Sequence, residues 1–502
     1  MRNLPAFEKR ILFIAFIAHL IGVWFSVGYH HPDEHFQLIE FANYKCGLTP
    51  ESKLAWEFPA QMRPGLQPLM VYLLLKPYYS LGFSDPFAFT TLLRFLSAMM
   101  ALFTAWQFHK AILPQIKSEF LQKVHLILSV LGWGLVYLHL RFSSENWSAI
   151  AMACAIIMLW RSNNPSYWLF GLLAGLSFVF RFQAIFMIGG IGLWMLFIDK
   201  TKWSNIAKVI AGFAFAFCIG LLCEYWLYGE WTMSSWNYVF QNVVENKAAK
   251  YGVEPWYWYF IQIYQQSLAP YGIIMLLSIP VMLLYKPKHI LTWAMILFLL
   301  GHIVVAHKEF RFLFPLSFFF PFWAVTTIEY LGKKFESLHA NKRYQLFQRI
   351  LWKSFWIANG IALLVMITKP ANDLIALNKL FYKHLHQPTI LVFSHEFNPY
   401  VNAEAEALGA TFYGNPLIES YCIDSFMKDT SALVGKNVWI YSNFAFPKDE
   451  FIFQYGGPFF DSNRTKVILT KLPTWTYQFN FNQWLERSNA YTLYQLYDKP
   501  VK

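Results

Sequence analysis

The sequence predicts an all-α polytopic membrane protein of about eleven membrane-spanning helices, with a small C-terminal mixed α/β domain outside the membrane. Composition is the first observation behind this prediction. The 502 residues are 56% hydrophobic, 20% aromatic and only 14% charged, whereas soluble domains carry about 25% charged residues. The second observation is that apolar stretches recur until residue 369, and short β-branched runs replace them afterwards.

The predicted spans are uneven in length. Some are short for a hydrocarbon core about 30 Å thick, so neighbouring pairs could be half-helices or strongly tilted helices. The predicted spans are residues 10–27, 88–108, 124–140, 147–160, 166–180, 183–198, 209–228, 259–284, 289–306, 312–331 and 351–368.

Basic residues predict the orientation of these spans. The formal charge is +12, but most Lys and Arg fall in short loops, such as Lys9-Arg10 and Lys333-Lys334, that alternate along the chain. The positive-inside rule places these loops and the N-terminus inside, and it explains the charge better than nucleic-acid binding does. The opposite, external or lumenal, side then receives a first loop at 28–87 and a second at 229–258.

The tail differs in character from the membrane part. Short runs beginning at Thr389, Asn437 and Lys466 are rich in β-branched residues and are separated by Gly, Pro and Asn, a pattern typical of strands. We therefore expect a membrane domain at residues 1–369 and an external or lumenal α/β domain at 370–502. The five cysteines form no metal-ligand pattern.

Adjacent carboxylates stand just outside the first span. Asp33 and Glu34 lie among His30, His31 and His35. A sugar transfer needs a base that takes the proton of the attacking hydroxyl, and one carboxylate can serve while its neighbour orients the acceptor or shifts the pKa. A solvated loop acid is the alternative, but the flanking histidines favour a catalytic role for the pair.

Cations on the same predicted face form a second candidate site. His307, Lys308, Glu309 and Arg311 lie between two apolar stretches. Lys and Arg can hold a phosphate, Arg through two parallel hydrogen bonds, and can stabilise a leaving phosphate. A juxtamembrane anchor is the alternative, but these cations lie on the side that the positive-inside rule leaves poor in basic residues.

Other candidates lie in the outer loops and at span ends. Trp56 and Glu57 precede Arg63, which could reach a phosphate or pair with Glu57. Arg181 follows a Gly171-x-x-x-Gly175 helix and could line the same cavity or snorkel to the interface. The second loop is rich in aromatic and amide side chains suited to binding a sugar, or to an interfacial belt; Asn242 and Tyr251 are its candidates.

Three motifs carry a resemblance to a known family. The segments His31-Pro-Asp-Glu-His-Phe-Gln37, Leu54-Ala-Trp-Glu-Phe58 with Arg63, and His307-Lys-Glu-Phe-Arg-Phe-Leu-Phe-Pro315 occur in family order. They resemble the polyprenyl- or dolichol-phosphate-mannose-dependent mannosyltransferases of glycosyltransferase family 22, most closely the branch that adds the third mannose of GPI anchors. The resemblance covers about residues 28–330.

The resemblance implies a fold, a reaction and a set of site residues. It implies the GT-C glycosyltransferase fold and an inverting transfer of mannose from a lipid phosphate to a glycolipid or glycan, with no cofactor and no metal. By position, Asp33 matches the base with Glu34 beside it, and the segment at His307, Lys308 and Arg311 matches the donor side, with Arg63 added for the phosphate. His31, Glu309, Trp56, Glu57, Arg181, Asn242 and Tyr251 are the expected substrate-binding residues.

The sequence leaves open which membrane holds the protein and which class of function it has. A bacterial cytoplasmic membrane with an external site and an endoplasmic reticulum with a lumenal site both fit the pattern. A transporter or flippase of lipids or lipid-linked sugars is the main functional alternative, although such proteins show inverted repeats and midplane acids that are not visible here. A non-catalytic glycan-binding protein of the same fold is the other alternative.

Overall fold

The computed structural model describes most of the membrane part and portions of the tail. The described residues are 6–160, 165–268, 271–393, 401–402, 408–409, 411–422, 435–442, 464–471 and 491–497. The chain divides into two compact units, Met1–Asn372 and Asp373–Lys502.

In its described residues, the secondary structure of the first unit consists of helices joined by loops and turns. Short 3₁₀ segments, notably Phe310–Phe319, connect some of its helices. The α-helices are α1 (Ala6–Phe25), α2 (Asp33–Phe36), α3 (Ile39–Lys45), α4 (Leu66–Ser80), α5 (Pro86–Ile112), α6 (Glu119–Leu131), α7 (Trp133–His139), α8 (Ser144–Trp160), α9 (Tyr167–Phe180), α10 (Ala184–Phe197), α11 (Trp203–Tyr228), α12 (Ser234–Val239), α13 (Trp258–Gln266), α14 (Tyr271–Tyr285), α15 (Ile290–Val304), α16 (Phe320–Lys334) and α17 (Lys342–Thr368).

Membrane-length helices are fewer than the predicted spans. Four described helices are long and apolar enough to cross a bilayer, and a fifth span results if α6 and α7, bent by 45°, are taken as one. Shorter apolar helices of 10–17 residues occupy most of the other predicted spans. The chain is therefore a multi-pass membrane protein, and the number eleven stays a prediction. The four long helices are Pro86–Gln115, Trp203–Tyr228, Phe310–Lys334 and Lys342–Thr368.

Local sequence signals set the ends and the packing of these helices. Asp85 caps α5 by accepting hydrogen bonds from the backbone amides of Phe87 (2.8 Å) and Ala88 (3.2 Å), and Pro86 occupies the first turn, where no amide is needed. Gly171 of α9 packs directly against the backbone of Val209 in α11, so that a methyl group there would overlap it. Small residues allow such close approach in membranes, and this contact fixes α9, whose end carries Arg181.

The second unit contains a helix and a mixed sheet. Helix α18 (Asp373–His384) precedes β1 (Thr389–Phe393), and strands form at each of the runs beginning near Thr389, Asn437 and Lys466. The five-stranded sheet has the order β4-β1-β5-β7-β6, with β1 parallel to β4 and β5, and β7 antiparallel to β5 and β6. The strands after β1 are β2 (Val401–Asn402), β3 (Leu408–Gly409), β4 (Ile418–Cys422), β5 (Asn437–Ser442), β6 (Thr465–Thr470) and β7 (Thr492–Leu496).

Candidate active site

Asp33 begins the short helix α2, immediately after the chain leaves α1. Its Oδ2 atom lies 2.8 Å from Nη1 of Arg311 and 3.8 Å from Nη2 of Arg63. Its Oδ1 atom lies 3.4 Å from Nδ1 of His31. The first candidate motif, the outer-loop arginine and the second candidate motif therefore meet at one carboxylate, which is 19% exposed.

Arg311 is the centre of this cluster. Its buried guanidinium contacts three carboxylates: Asp33, Glu145 at 3.1 Å, and Glu309, which takes two hydrogen bonds from it. The planar fork of arginine can hold several carboxylates in fixed directions, which an ammonium group cannot do. Arg311 thus ties α2, the start of α8 and the segment before the 3₁₀ turn into one site.

A second arginine pairs with the first outer loop. Arg63 Nη2 lies 3.3 Å from Glu57 Oε1, which also accepts a hydrogen bond from Gln37 at 3.2 Å. The Arg63 guanidinium lies 5.8 Å from the centre of the Tyr238 ring, within cation–π range. From the sequence, Arg63 could either contact a phosphate or pair with Glu57. The structure shows the pair and also places Arg63 near Asp33.

Arg181 completes the group of arginines at the end of α9. Its Nη1 atom lies 3.0 Å from Glu145 Oε1 and 3.2 Å from the hydroxyl of Ser144. The Phe312 ring lies 5.1 Å from its guanidinium. Glu145 therefore bridges Arg181 and Arg311, so that Arg181 joins the site through a shared carboxylate and does not snorkel.

Histidines link the two motifs from the solvent side. His31 Nε2 lies 3.4 Å from Glu309 Oε2, so this ring stands between Asp33 and Glu309. His307 Nε2 lies 3.0 Å from Glu309 Oε1, and this hydrogen bond raises the pKa of His307. Burial opposes ionisation of Glu309, but His307 and Arg311 hold its pKa below the ordinary value.

The adjacent carboxylates differ in their protonation. Burial by itself would raise the pKa of Asp33, but the charges of Arg311, His31 and Arg63 hold that pKa well below its usual range. Burial raises the pKa of Glu34 to about 7, with Arg141 opposing the shift and Glu145 adding to it. Asp33 is therefore ionised at neutral pH, whereas Glu34 is partly protonated. Burial likewise raises the pKa of Glu57, and Arg63 opposes that shift.

A polar cavity opens beside this cluster. Asp33 and Glu34 line it together with Arg63 and Arg181. Gln183 and Tyr238 also line it and are joined by a 2.5 Å hydrogen bond. An ionised carboxylate thus faces a cavity whose walls carry arginine charge and neutral hydrogen-bonding groups, which suits a sugar bearing a developing positive charge next to a leaving anion.

Four predicted site residues lie apart from these contacts. Lys308 is buried, and its Nζ atom donates to the backbone carbonyl of Val305; no described residue forms an ion pair with it. Burial lowers its pKa. The side-chain amide of Asn242 donates to the Tyr238 carbonyl at 3.0 Å. The Nζ atom of Lys247 lies 5.1 Å from the centre of the Trp56 ring. Tyr251 is 53% exposed, and the centre of its ring lies 6.2 Å from that of the His307 ring.

Glu145 belongs to the candidate site, although the motifs did not indicate it. It is buried at the start of α8 and accepts from two arginines. The available signal was an acid at the beginning of an otherwise apolar helix on the same predicted side as Asp33, since such an acid is costly unless it is paired. In the described part of the chain, no group of three His, Cys, Asp or Glu side chains is arranged to hold a metal ion.

Two solved structures align with most of this chain. ArnT from Cupriavidus metallidurans in the apo state aligns over 86% of this chain and 92% of its own, with 10% identity and a TM-score of 0.46. The Archaeoglobus fulgidus oligosaccharyltransferase aligns over 87% of this chain and 69% of its own, with 10% identity and a TM-score of 0.43.

Comparison with protein sequences shows the family of this chain. GPI mannosyltransferase 3 of Candida albicans is 25% identical over 60% of this chain and 60% of its own length. GPI alpha-1,2-mannosyltransferase 3 of Danio rerio is 24% identical over 57% of this chain and 53% of its own. The chain thus spans less than two thirds of the length of these relatives. The Alg9-like mannosyltransferase family, glycosyltransferase family 22, matches residues 10–398, and the chain therefore belongs to this family.

Proposed function

We propose that the protein transfers mannose from a polyprenyl-phosphate carrier to a hydroxyl of a glycolipid or glycan, with inversion at the anomeric carbon. The observation that carries the proposal is the 2.8 Å contact of Asp33 with Arg311 beside the polar cavity. A carboxylate and a group of arginines at the edge of this cavity support a site for a sugar attached to a phosphate. Membership of a mannosyltransferase family supports the choice of sugar.

The reaction forms one bond and breaks another at the anomeric carbon. The acceptor oxygen attacks this carbon as the bond to the carrier phosphate breaks, and the electron pair of that bond leaves with the phosphate. Asp33 takes the proton of the acceptor hydroxyl. Its depressed pKa keeps it in the basic form at neutral pH.

The arginines orient the base and stabilise the leaving phosphate. Arg311 fixes the direction of Asp33 and adds positive charge near the leaving group. Arg63, whose Nη2 atom lies 3.8 Å from the same Oδ2 atom, supports both functions. Glu145 pairs with both Arg311 and Arg181 and so anchors Arg311, and we expect the site to need little reorganisation when the substrates bind.

The side of the membrane follows from the basic loops. We propose that the site faces the external or lumenal side, with residues 1–369 as the catalytic domain and 370–502 as the outer domain. A lipid-linked donor and a glycolipid acceptor both reach a site at a membrane boundary by lateral diffusion. The names of the relatives make a GPI-type acceptor the first one to test.

A direct transfer assay tests the proposal. The full-length protein is incubated with synthetic polyprenyl-phosphate mannose, radiolabelled in the sugar, and a glycolipid extract, and the product is analysed by mass. We expect transfer from the mannose donor, little from the glucose analogue, and a loss of about 10² to 10⁴-fold in Asp33→Asn.

Asp85→Asn is the matched control, because Asp85 only caps α5 and asparagine caps equally well. Asp33→Asn activity equal to that of this control would exclude Asp33 as the base. Transport of the lipid without sugar transfer would overturn the enzymatic proposal as a whole.

A further inference from the structure

One buried side chain on the wall of the polar cavity takes no part in the contacts described above. We propose that this side chain, Gln67, binds a hydroxyl group of the transferred sugar and makes the protein selective for sugars that carry this hydroxyl. The inference rests on the proposed function, which supplies a sugar donor. It adds a specificity-determining residue that lies outside the three motifs.

Gln67 is a buried amide without a hydrogen-bond partner. The residue is 1% exposed, and neither its Nε2 atom nor its Oε1 atom has a partner among the residues that the structure describes. Buried polar groups are nearly always paired, and an unpaired one costs free energy. Two unused atoms on one buried side chain therefore point to a partner that comes from outside the chain.

Close packing fixes the position of Gln67. It lies in the first turn of α4, where Gly65 packs so closely against α11 that an added Cβ atom would overlap the carbonyl oxygen of Cys223. Tyr228, at the end of α11, donates to the Arg63 carbonyl at 2.8 Å and accepts from the Arg63 amide at 3.3 Å. The same helix therefore holds both Arg63 and the start of α4 in place.

Gln67 lines the polar cavity together with the proposed base. Asp33 and Arg63 also line it, and Oδ2 of the first lies 3.8 Å from Nη2 of the second. The cavity has a volume of about 30 Å³, whereas one water molecule needs roughly 10–15 Å³. It therefore has room for a hydroxyl or hydroxymethyl group, while the sugar ring itself must stay at the edge of the cavity beside Asp33.

The other amides of the cavity wall already have partners. Gln37 donates to Glu57 at 3.2 Å, and Gln183 donates to the Tyr238 hydroxyl at 2.5 Å. Among the described residues that line this cavity, Gln67 is thus the one amide that is free to bind a substrate.

The chemistry of an amide matches that of a sugar hydroxyl. A hydroxyl group both donates and accepts hydrogen bonds, and an amide offers an acceptor oxygen and a donor nitrogen. One hydroxyl can therefore use both free atoms of Gln67. A phosphate oxygen only accepts and would leave Oε1 unpaired, and an apolar chain would leave both atoms unpaired. A bound water molecule could also pair with the amide, and a sugar hydroxyl would then replace it.

Transfer from modified donors tests the proposal. The full-length protein is supplied with polyprenyl-phosphate mannose, and with the four analogues that each lack one of its free hydroxyl groups, in the presence of the same glycolipid extract. The ratio kcat/KM is measured for the wild type and for Gln67→Met, since methionine has a similar length and no amide. Comparing each donor between the two proteins cancels the intrinsic reactivity of the deoxy sugars.

Loss of the hydroxyl and loss of the amide should not add. For the mannose donor, we expect Gln67→Met to lower kcat/KM about tenfold or more, and we expect a similar loss for one deoxy donor with the wild type. With that donor, the wild type and the variant should be equally active, because both changes remove the same hydrogen bond. The other deoxy donors should show the full effect of the substitution.

Thermal unfolding separates substrate binding from a structural role. Gln67→Met removes two unpaired buried polar atoms, so we expect its unfolding temperature to equal or exceed that of the wild type. Gln122→Met is the control, because Gln122 of α6 donates to the Ile116 carbonyl at 2.8 Å and does not line the polar cavity. This control should lose stability and keep the wild-type order of the donors.

The outcomes separate the residue from the reaction. If the wild type transfers mannose but Gln67→Met changes transfer from every donor by the same factor, or not at all, Gln67 does not bind the transferred sugar and the proposed function stands. If the wild type transfers no mannose, the proposed function itself fails, and the inference fails with it. A loss of stability in Gln67→Met equal to that in Gln122→Met would show a structural partner for the amide and overturn the assignment.

Discussion

Asp33 and Arg311 are joined by a 2.8 Å ion pair, although one lies just after the first helix and the other follows α15. The same arginine contacts Glu145 and Glu309. This guanidinium therefore holds the direction of the proposed base and, together with His31 and Arg63, its ionised form.

Removal of this guanidinium should affect stability as well as activity. In Arg311→Gln, three carboxylates lose their shared counterion, and we expect the free energy of unfolding to fall by about 3 kcal/mol or more. Thermal unfolding of the purified protein measures the effect. Lys333→Gln is the control, because the Lys333 side chain is exposed and pairs with one carboxylate, Glu329, and ion pairs of exposed lysines contribute little to stability. Equal losses in both variants would show that Arg311 is not the anchor of the cluster.

Glu145 should be as important as the residues in the motifs. Glu145→Gln removes the carboxylate between Arg181 and Arg311, so Arg311 loses part of its support and Asp33 its fixed direction. We expect kcat to fall by about tenfold to a hundredfold, with a smaller change in KM. Glu119→Gln is the control, because Glu119 is exposed and, among the residues that the structure describes, pairs with Lys123 alone. Unchanged kcat in Glu145→Gln would remove Glu145 from the site.

Glu34 should make the stability depend on pH. Its pKa is raised to about 7 in the folded protein and is near the ordinary value in the unfolded chain, so the folded state holds the proton more tightly. Stability from this group is therefore present at low pH and is lost as the pH rises from about 4.5 to 7.

The variant Glu34→Gln measures this dependence directly. We expect it to be more stable than the wild type at pH 8, on the order of 1–2 kcal/mol, and to differ little at pH 5. The readout is the unfolding temperature across pH. A difference that does not change with pH would contradict the raised pKa.

Helices α9 and α11 pack so closely at Gly171 that we expect no side chain to fit there. In Gly171→Ala, the methyl group meets the backbone of Val209, and we expect a loss of about 1–3 kcal/mol. Gly192→Ala is the control, because nothing lies within 4 Å of its added methyl group. Because α9 carries Arg181, transfer activity should fall with stability in the first variant only. Equal stability of both variants would show that the helices can separate at no cost.

Orientation can be tested by chemical labelling. Tyr251→Cys lies in the second outer loop, and Lys333→Cys lies at the end of α16; both positions are exposed. A membrane-impermeant maleimide should label the first variant from the external or lumenal side and the second only after permeabilisation. The reverse pattern would place the proposed active site on the inner face.

The motifs indicated the part of the site that depends on local sequence. Asp33 and Arg311 both lie in short segments whose order along the chain carried the family resemblance, which the family comparison confirmed. The three β-branched runs of the tail likewise coincide with strands. These features depend on residue type and spacing, which a linear sequence contains.

The sequence could not predict which charged side chains pair with each other. The sequence offered Lys308 and Arg311 as equivalent cations, yet the backbone turn directs Lys308 to the Val305 carbonyl and Arg311 to three carboxylates. The sequence signal at Glu145 indicated that this acid needs a partner, but it did not indicate which residues would pair with it; the structure shows two arginines. Such choices depend on how helices from distant parts of the chain pack together.

Composition and periodicity alone determined that this chain is a multi-pass membrane protein with acids and cations at a membrane boundary. Tertiary structure decided which cation neutralises which acid and which residues line the polar cavity. The physical reason is that hydrophobic patterning acts along the chain, whereas burial and ion pairing are set by neighbours in space.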